Sequence, residues 1–497
     1  MAPRYSTFLR YRISDDVLAA ILEHLDPRTL LSACKAFKRI YAIVMGYHAL
    51  RYKFELAVSG MRDGAAPRAA APLLARLHLL LNYRADWPRL HWTHEYKMQV
   101  ITPSHVGTSG GFIHQIRPHG VYSTLEITEL PSCRTGRSPT LTRRLRYTSP
   151  PIETVFIDPA QALIVAAHIF CQNGIIGLQL QFRDLWTFAK HPIAPAESYE
   201  IPTQSVAPVA HVTIYLVGSK LAVTLEFVGG KINHLIMDWR TFGARWIDDQ
   251  DICLLDEDFL LVLCKRAGSP PVLNLCNITN IVNMVVLRQY ELPGAWANSS
   301  IKFSPNTATR QRSPTALFCS DPANRVLVVA AKPLVKTSTS ASWLFINEGY
   351  FRGVSSRRDR AVVSWSSWGQ YCVVKDLPRI SRTLVRGPYA IGSRVAYLQS
   401  ESGTQKSTLN LIEFAPFPDS GTRLNSSWPV VGSKATLFPS ETARALSSTT
   451  VEHYAVDDIG VTEDNIVLFL ELQPGFRPVN VLTFGAPPTA SARPSRR

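Results

Sequence analysis

Apolar residues between Ile13 and Tyr52 recur at helical spacing around a single Asp-Pro break. Ser14 precedes two acids and an apolar run, so its hydroxyl is placed to cap free amides while Asp15 and Asp16 face the positive end of the helix dipole. Val17, Leu18, Ile21, Leu22 and Leu25 then share one face of a first helix, with Glu23 and His24 off that stripe. Asp26-Pro27 supplies a stop and a restart, because Asp caps well and Pro is tolerated at the first helical position. Leu30, Leu31, Cys34, Phe37, Ile40, Tyr41 and Val44 predict one second helix from Pro27, with Arg28, Lys35, Lys38 and Arg39 on its polar side. The pattern is a helical hairpin with an apolar face, which taken alone fits an N-terminal cap on a larger domain.

From about Met98 the period changes from helical to extended. Val155–Ile157, Leu163–Ala167, Gly177–Phe182, Val212–Val217, Leu221–Val228, Ile232–Met237 and Leu260–Cys264 are short β-rich runs separated by Gly, Pro, Asp and Asn turns. FIDPAQALIVAA at Phe156–Ala167 is echoed by CSDPANRVLVVAA at Cys319–Ala331, and LDEDFLLVL at Leu255 by TEDNIVLFL at Thr462. Self-similar acid-turn-strand units are expected where blades of antiparallel strands are arranged radially, each needing the same turn and the same buried face. Asp238-Trp239-Arg240-Thr241 with Gly243 is similar to the turn of a WD-type blade. At roughly four strands per blade, the chain after the helices holds about six or seven blades.

The order of residues in the hairpin resembles an F-box: Val-Leu, Ile-Leu, Leu-Asp-Pro and Leu-Leu, then an aromatic and basic segment. Ser14 stands where that family usually has Pro, and Ala36-Phe37 near the position of a common Val-Cys pair; both keep the helix start and the apolarity. Leu50–Gly64 (LRYKFELAVSGMRDG) and Leu73–Trp92 (LLARLHLLLNYRADWPRLHW) are similar to the segment after the F-box in a large group of fungal F-box proteins. Shorter likenesses follow at Leu235–Arg240, Leu255–Leu263 and Asp464–Phe469. The resemblance implies a substrate receptor of an SCF-type, cullin-based ubiquitin ligase. The F-box would hold the small cullin adaptor through Ile13, Leu18, Ile21, Leu22, Leu25, Pro27, Leu30 and Leu31, and the β domain would bind an unknown client protein. The chemistry would belong to other subunits, so the chain would be no enzyme and need no cofactor.

Composition changes this picture little. Of the 497 residues, 46% are hydrophobic and 18% charged, as in a folded protein large enough for a small helical domain and one large domain. The first residues, MAPRYSTFLRYR, lack an apolar core of signal-peptide length, and every apolar run is broken well short of a membrane span, which leads to an intracellular expectation, cytoplasmic or nuclear. The eight cysteines form no CxxC pair and are expected to be reduced, mostly buried thiols. A net charge of +15 raises nucleic acid, but the basic groups (Arg143, Arg144 and Arg146; Arg357, Arg358 and Arg360; the Arg493–Arg497 tail) form no stripe.

Phosphate loop and HExxH motifs are missing from the sequence. His91 and His94 fit surface or packing roles without a third ligand, and the acids from Asp248 to Asp258 fit turns bracketing a strand rather than a metal site.

The expected architecture is an α+β multidomain chain: a flexible start (1–12), an F-box (13–52), a helical linker (53–97), a large all-β domain, read as a β-propeller (98–484), and a disordered basic tail (485–497). The alternatives are a non-catalytic propeller-type scaffold with another helical-hairpin partner, and a basic nucleic-acid-associated protein.

Overall fold

The computed structural model describes residues 13–67, 70–101, 105–138, 143–172, 174–203, 205–265, 269–304, 306–308, 313–334, 341–352, 362–377, 383–401, 407–415, 438–446 and 455–485. Residues 1–12, the basic tail beyond Gly485 and the Arg357–Arg360 group lie outside them.

The chain opens with short helices α1 (Asp15–His24), α2 (Pro27–Ala36), α3 (Lys38–Gly46), α4 (His48–Val58) and, after a three-residue strand, α5 (Leu73–Asp86). The single helix expected from Pro27 through Val44 is therefore two. Phe37 sits between them in an extended conformation (φ −132°, ψ 111°), and the turn lets both Leu30 and Cys34 on α2 and Ile43 and Val44 on α3 face one core. An unbroken helix could not have wrapped that core from two sides. α4 crosses the expected boundary at residue 52, continuing to Val58.

Seven sheets follow, each built on four antiparallel strands; the four are in chain order in all but the last, and the sheet of 251–291 gains a fifth, two-residue strand, Val362–Val363, paired parallel to Val285–Glu291. They form the blades of a β-propeller: 105–149, 154–202, 209–247, 251–291, 299–376, 383–445, and 456–483 with the strand His94–Ile101. The innermost strands of successive blades touch in a closed ring, the last returning to the first. Strand His94–Ile101 pairs antiparallel with Phe476–Thr483, so the first propeller strand completes the last blade and ties the two ends together. That strand begins just ahead of the boundary at residue 98. The seven strand runs read from the sequence are all present, most of them slightly longer; Leu163–Ala167, for example, extends to Gln172.

The echoed Asp-Pro-Ala segments take the same role in different blades. Asp158 accepts the Ala160 amide at 2.9 Å, and Asp321 accepts that of Ala323 at 3.0 Å, each in the connection between the first two strands of its blade. Asp256 does the same for the amides of Asp258 and Phe259, and Thr462 Oγ1 for Asp464 and Asn465. Asp238 accepts the Arg240 amide, while buried Trp239 donates its indole N–H to the Gly218 carbonyl at 2.9 Å, locking one turn of blade 3 to the other. Local side chain to backbone bonds of this kind specify turns without help from the rest of the fold.

In a four-stranded antiparallel blade the first and third connections lie at one end and the second at the other, together with the links between blades. The helices sit on the first end, here called the lower face. Strand Met61–Asp63 pairs with Phe318–Ser320 in the first connection of blade 5, and Gly64 continues the contact by donating to the Leu317 carbonyl. A Cβ at Gly64 would lie 1.9 Å from the Ala316 oxygen, so only glycine permits this approach. The segment expected as a linker is thus built into the propeller.

Candidate protein-docking site

The helical module owes its shape to caps that its sequence announces. Ser14 Oγ accepts the Val17 amide at the start of α1, and Asp26 accepts the amide and hydroxyl of Thr29 at the start of α2. At the other end of α1 the Lys53 ammonium donates to the carbonyls of Glu23 and Leu25, a cation where the dipole is negative. Arg39 reaches back to Asp15 (2.7 Å) and to the Ile13 carbonyl (2.6 Å), and Tyr47 donates to Asp16. These bonds hold both ends of α3, Arg39 at its start and Tyr47 just past its end, beside the start of α1.

Ala19, Leu22, Leu30, Cys34, Ile43, Val44 and Leu50 form the module's own core. Burial pushes the Cys34 thiol up to about 11, so it packs as a small neutral group. Each large apolar side chain here contributes roughly 1.5 to 3 kcal/mol through removal from water. The residues expected to meet a partner therefore separate into two sets. Leu22, Leu30 and Leu31 are buried and support the surface from behind, while Leu18 and Leu25 are half-buried against the same core. Ile13, Ile21 and Pro27 are exposed.

Between Ile13 (46% exposed) and Ile21 (49%) stands Val17 (51%), which the expected contact set omits. Val17 and Ile21 lie one turn apart on α1, and Ile13 stands just ahead of its N-cap, so the three are exposed along and immediately before the helix. Phe37 and Tyr41, also exposed, add aromatic surface at the α2–α3 turn, with Tyr41 edge-on to Phe54. The spacing of 13, 17 and 21 is visible in the sequence. What hides it is that Leu18, Leu22 and Leu25 run alongside with equal hydrophobicity, and only the fold tells which stripe faces inward.

The module is fixed to the propeller through α5, whose side chains enter a buried network of charge. Tyr83 donates to the Glu463 carbonyl and accepts from Arg394 at 3.0 Å; Arg394 in turn pairs with Glu413 at 2.9 Å. Arg134 forms a two-pronged pair with Asp464 (2.8 and 2.9 Å) and donates to the Phe318 carbonyl. Burial holds the Tyr83 phenol well above its ordinary value, so it stays protonated and able to donate. Trp87 stacks on Phe484 with 4.1 Å between centroids, and Arg84 meets Glu55 on α4 at 2.5 Å. These contacts join α4 and α5 to residues of blades 1, 5, 6 and 7.

His91 pairs with Asp86 at 3.0 Å rather than with His94. All eight cysteines are free, four of them buried. No helix among the described residues is long and apolar enough to cross a membrane.

No family model and no curated protein matches the chain. Among solved structures it is similar to the WD40 domain of SCAP from fission yeast, at 7% identity and a TM-score of 0.40, covering 79% of this chain and 98% of that one. It is also similar to the β-propeller domain of the Trilobed protease from Pyrococcus furiosus (9%, TM-score 0.42, 79% and 99%) and to the AfRom2 CNH domain (12%, TM-score 0.31, 78% and 99%).

Proposed function

We propose that the chain is the substrate-recognition subunit of an SCF-type ubiquitin ligase, its helical module docking on the small cullin adaptor and its propeller binding the client protein. A seven-bladed propeller suits a protein-interaction scaffold, because its loops vary independently of its closed ring. The observation that carries the finer reading is the open stripe of Ile13, Val17 and Ile21 on a module whose residue order resembles an F-box and whose own core is already complete. An exposed apolar helix face joined rigidly to a large domain is what a docking module requires. In this role the chain raises the effective concentration of the client near the charged ubiquitin carrier, and the other subunits perform the transfer.

The test is co-purification of the intact chain with the cullin adaptor, compared with Val17→Asp and Ile21→Asp. Both positions are about half exposed, so the variants keep the core that Leu22→Asp would destroy. Retention of the adaptor by the wild type and a loss of at least about tenfold in both variants is expected. A wild type that fails to retain the adaptor, or variants that retain it equally, would remove this reading.

A further inference from the structure

The upper face of the propeller, opposite the helices, carries an apolar surface that adaptor docking leaves unused. Val121 and Tyr122 in the second connection of blade 1, Ile175 in that of blade 2, Val206 between blades 2 and 3, and Val228 in the second connection of blade 3 are all exposed. Val121 and Val206 reach 86% and 87%. Single exposed hydrophobics are ordinary, but their gathering at one end of adjoining blades is not. Among them lies a groove of about 1080 Å³ across blades 1 to 3, walled by Ile116, Ile152, Ile169, Phe170, Val209 and Val212, with Val206 at its rim.

The charge of the groove narrows what it can hold. Glu153 is the one carboxylate among the lining residues, and neither lysine nor arginine lines it. The chain segments next to the lining residues that fall outside the description, 102–104, 173 and 204, contain no charged residue. His105, at the inner end, is held below its ordinary value by burial and by His211, so it offers little positive charge at neutral pH. A phosphate entering here would find no lysine or arginine among the lining residues and would face Glu153, whereas an ammonium or guanidinium would gain that exposed carboxylate as a partner beside the apolar wall.

We infer that the groove receives a client segment of apolar side chains with an adjoining lysine or arginine, free of phosphate, whose cation pairs with Glu153. This deepens the proposed function and rests on it for the meaning of the word client. Binding to the groove itself is independent of the adaptor.

The experiment displays random dodecapeptides to the immobilised full chain and measures the affinity of fluorescent copies of the selected sequences by anisotropy. Selected peptides are expected to combine two or more apolar residues with a lysine or arginine. Val206→Asp, on an exposed side chain, is expected to weaken them at least about tenfold with no change in the thermal midpoint. Glu153→Lys is expected to weaken the lysine-bearing peptide about tenfold while strengthening its lysine-to-glutamate copy, an exchange that a merely structural role would not produce. Enrichment of acidic or phosphorylated sequences, no enrichment, or indifference to Glu153→Lys would overturn the inference. So would self-association of the chain lost in Val206→Asp, which would assign the groove to a second copy. Adaptor retention, read on the same preparations through Ile21, fails or survives separately.

Discussion

On the lower face of the propeller Arg134, Arg394, Asp464 and Tyr83 are buried in mutual pairs beneath α5, and an aromatic stack of Trp87 on Phe484 seals them. On the upper face Val121, Val206 and Val228 stand in water around a groove with one carboxylate. The two faces thus invert the usual arrangement, with charge inside and hydrocarbon outside. On the lower face the burial of charge is compensated, since Arg134 faces Asp464 and the Phe318 carbonyl, and Arg394 faces Glu413 and the Tyr83 hydroxyl. Such a network adds little net stability compared with a hydrocarbon core, but it fixes one geometry because any misplacement strands a charge. On the upper face no such compensation exists, and exposed hydrocarbon is a standing cost of a few tenths to a few kcal/mol that a bound partner would relieve. The contrast teaches that the seam between helices and propeller is finished, while the upper face is open.

The largest effect is expected where the lower network is broken. Arg134→Met leaves Asp464 without its two-pronged partner and Glu463 without its 3.2 Å contact. It should cost about 3 to 5 kcal/mol, seen as a lower urea midpoint with far-ultraviolet dichroism unchanged before the transition. A loss below about 1 kcal/mol would mean that the lower face is held by packing alone and would erase the distinction between the faces.

A smaller effect is expected from acid. Burial holds His114 down to about 3 and His234 down to about 4, in blades 1 and 3 that flank the groove. Both are neutral in the fold, while the unfolded chain takes up their protons below about pH 6.5. The depressed values therefore make stability fall as pH drops below 6.5. Buried Asp251, raised to about 6, acts in the opposite sense, because the fold is relieved of an unfavourable carboxylate as it protonates. Asp158, also raised by burial, acts in the sense of Asp251, and His105 and His168, lowered by burial, act in the sense of the other two histidines, so the histidines outweigh the acids. His114→Gln should remove about 2 kcal/mol of the loss between pH 7 and pH 5, measured from urea midpoints at the two values. An unchanged slope would place the acid sensitivity elsewhere.

The smallest effect sharpens the contrast from the open side. Val121→Ser, at the most exposed end of the apolar surface, should change stability by less than about 0.5 kcal/mol, while the same polar substitution at buried Leu22 should cost several times more. Thermal midpoints of the two variants against wild type test this. A substantial loss at Val121 would show that the upper loops are packed rather than open.

Much of the local structure was legible in the chain. Ser14, Asp26 and the Asp-Pro-Ala turns act through bonds to neighbours a few residues away, so their roles follow from order alone. The alternation of strands and the repetition of the acid turn likewise pointed to radial blades. The break at Phe37 was not legible, because Phe37 brings neither Gly nor Pro and its side chain makes no cap; the two-sided core of the module imposes it. Nor was the incorporation of residues 61–66 into blade 5, since the partner strand lies more than two hundred residues away.

The sequence by itself determined the helix caps, the runs of strand from residue 155 on and how their turns close, since those depend on hydrogen bonds and periodicity within a short reach. Tertiary structure alone decided which apolar side chains of α1 face water, where α5 seats its charges, and that Val121, Tyr122, Val206 and Val228 of blades 1 to 3 stand together on the face away from the helices. Those outcomes depend on which distant surfaces meet, and hydrophobicity carries no address: Val17 and Leu22 have similar reasons to leave water, and the fold had room for only one of them.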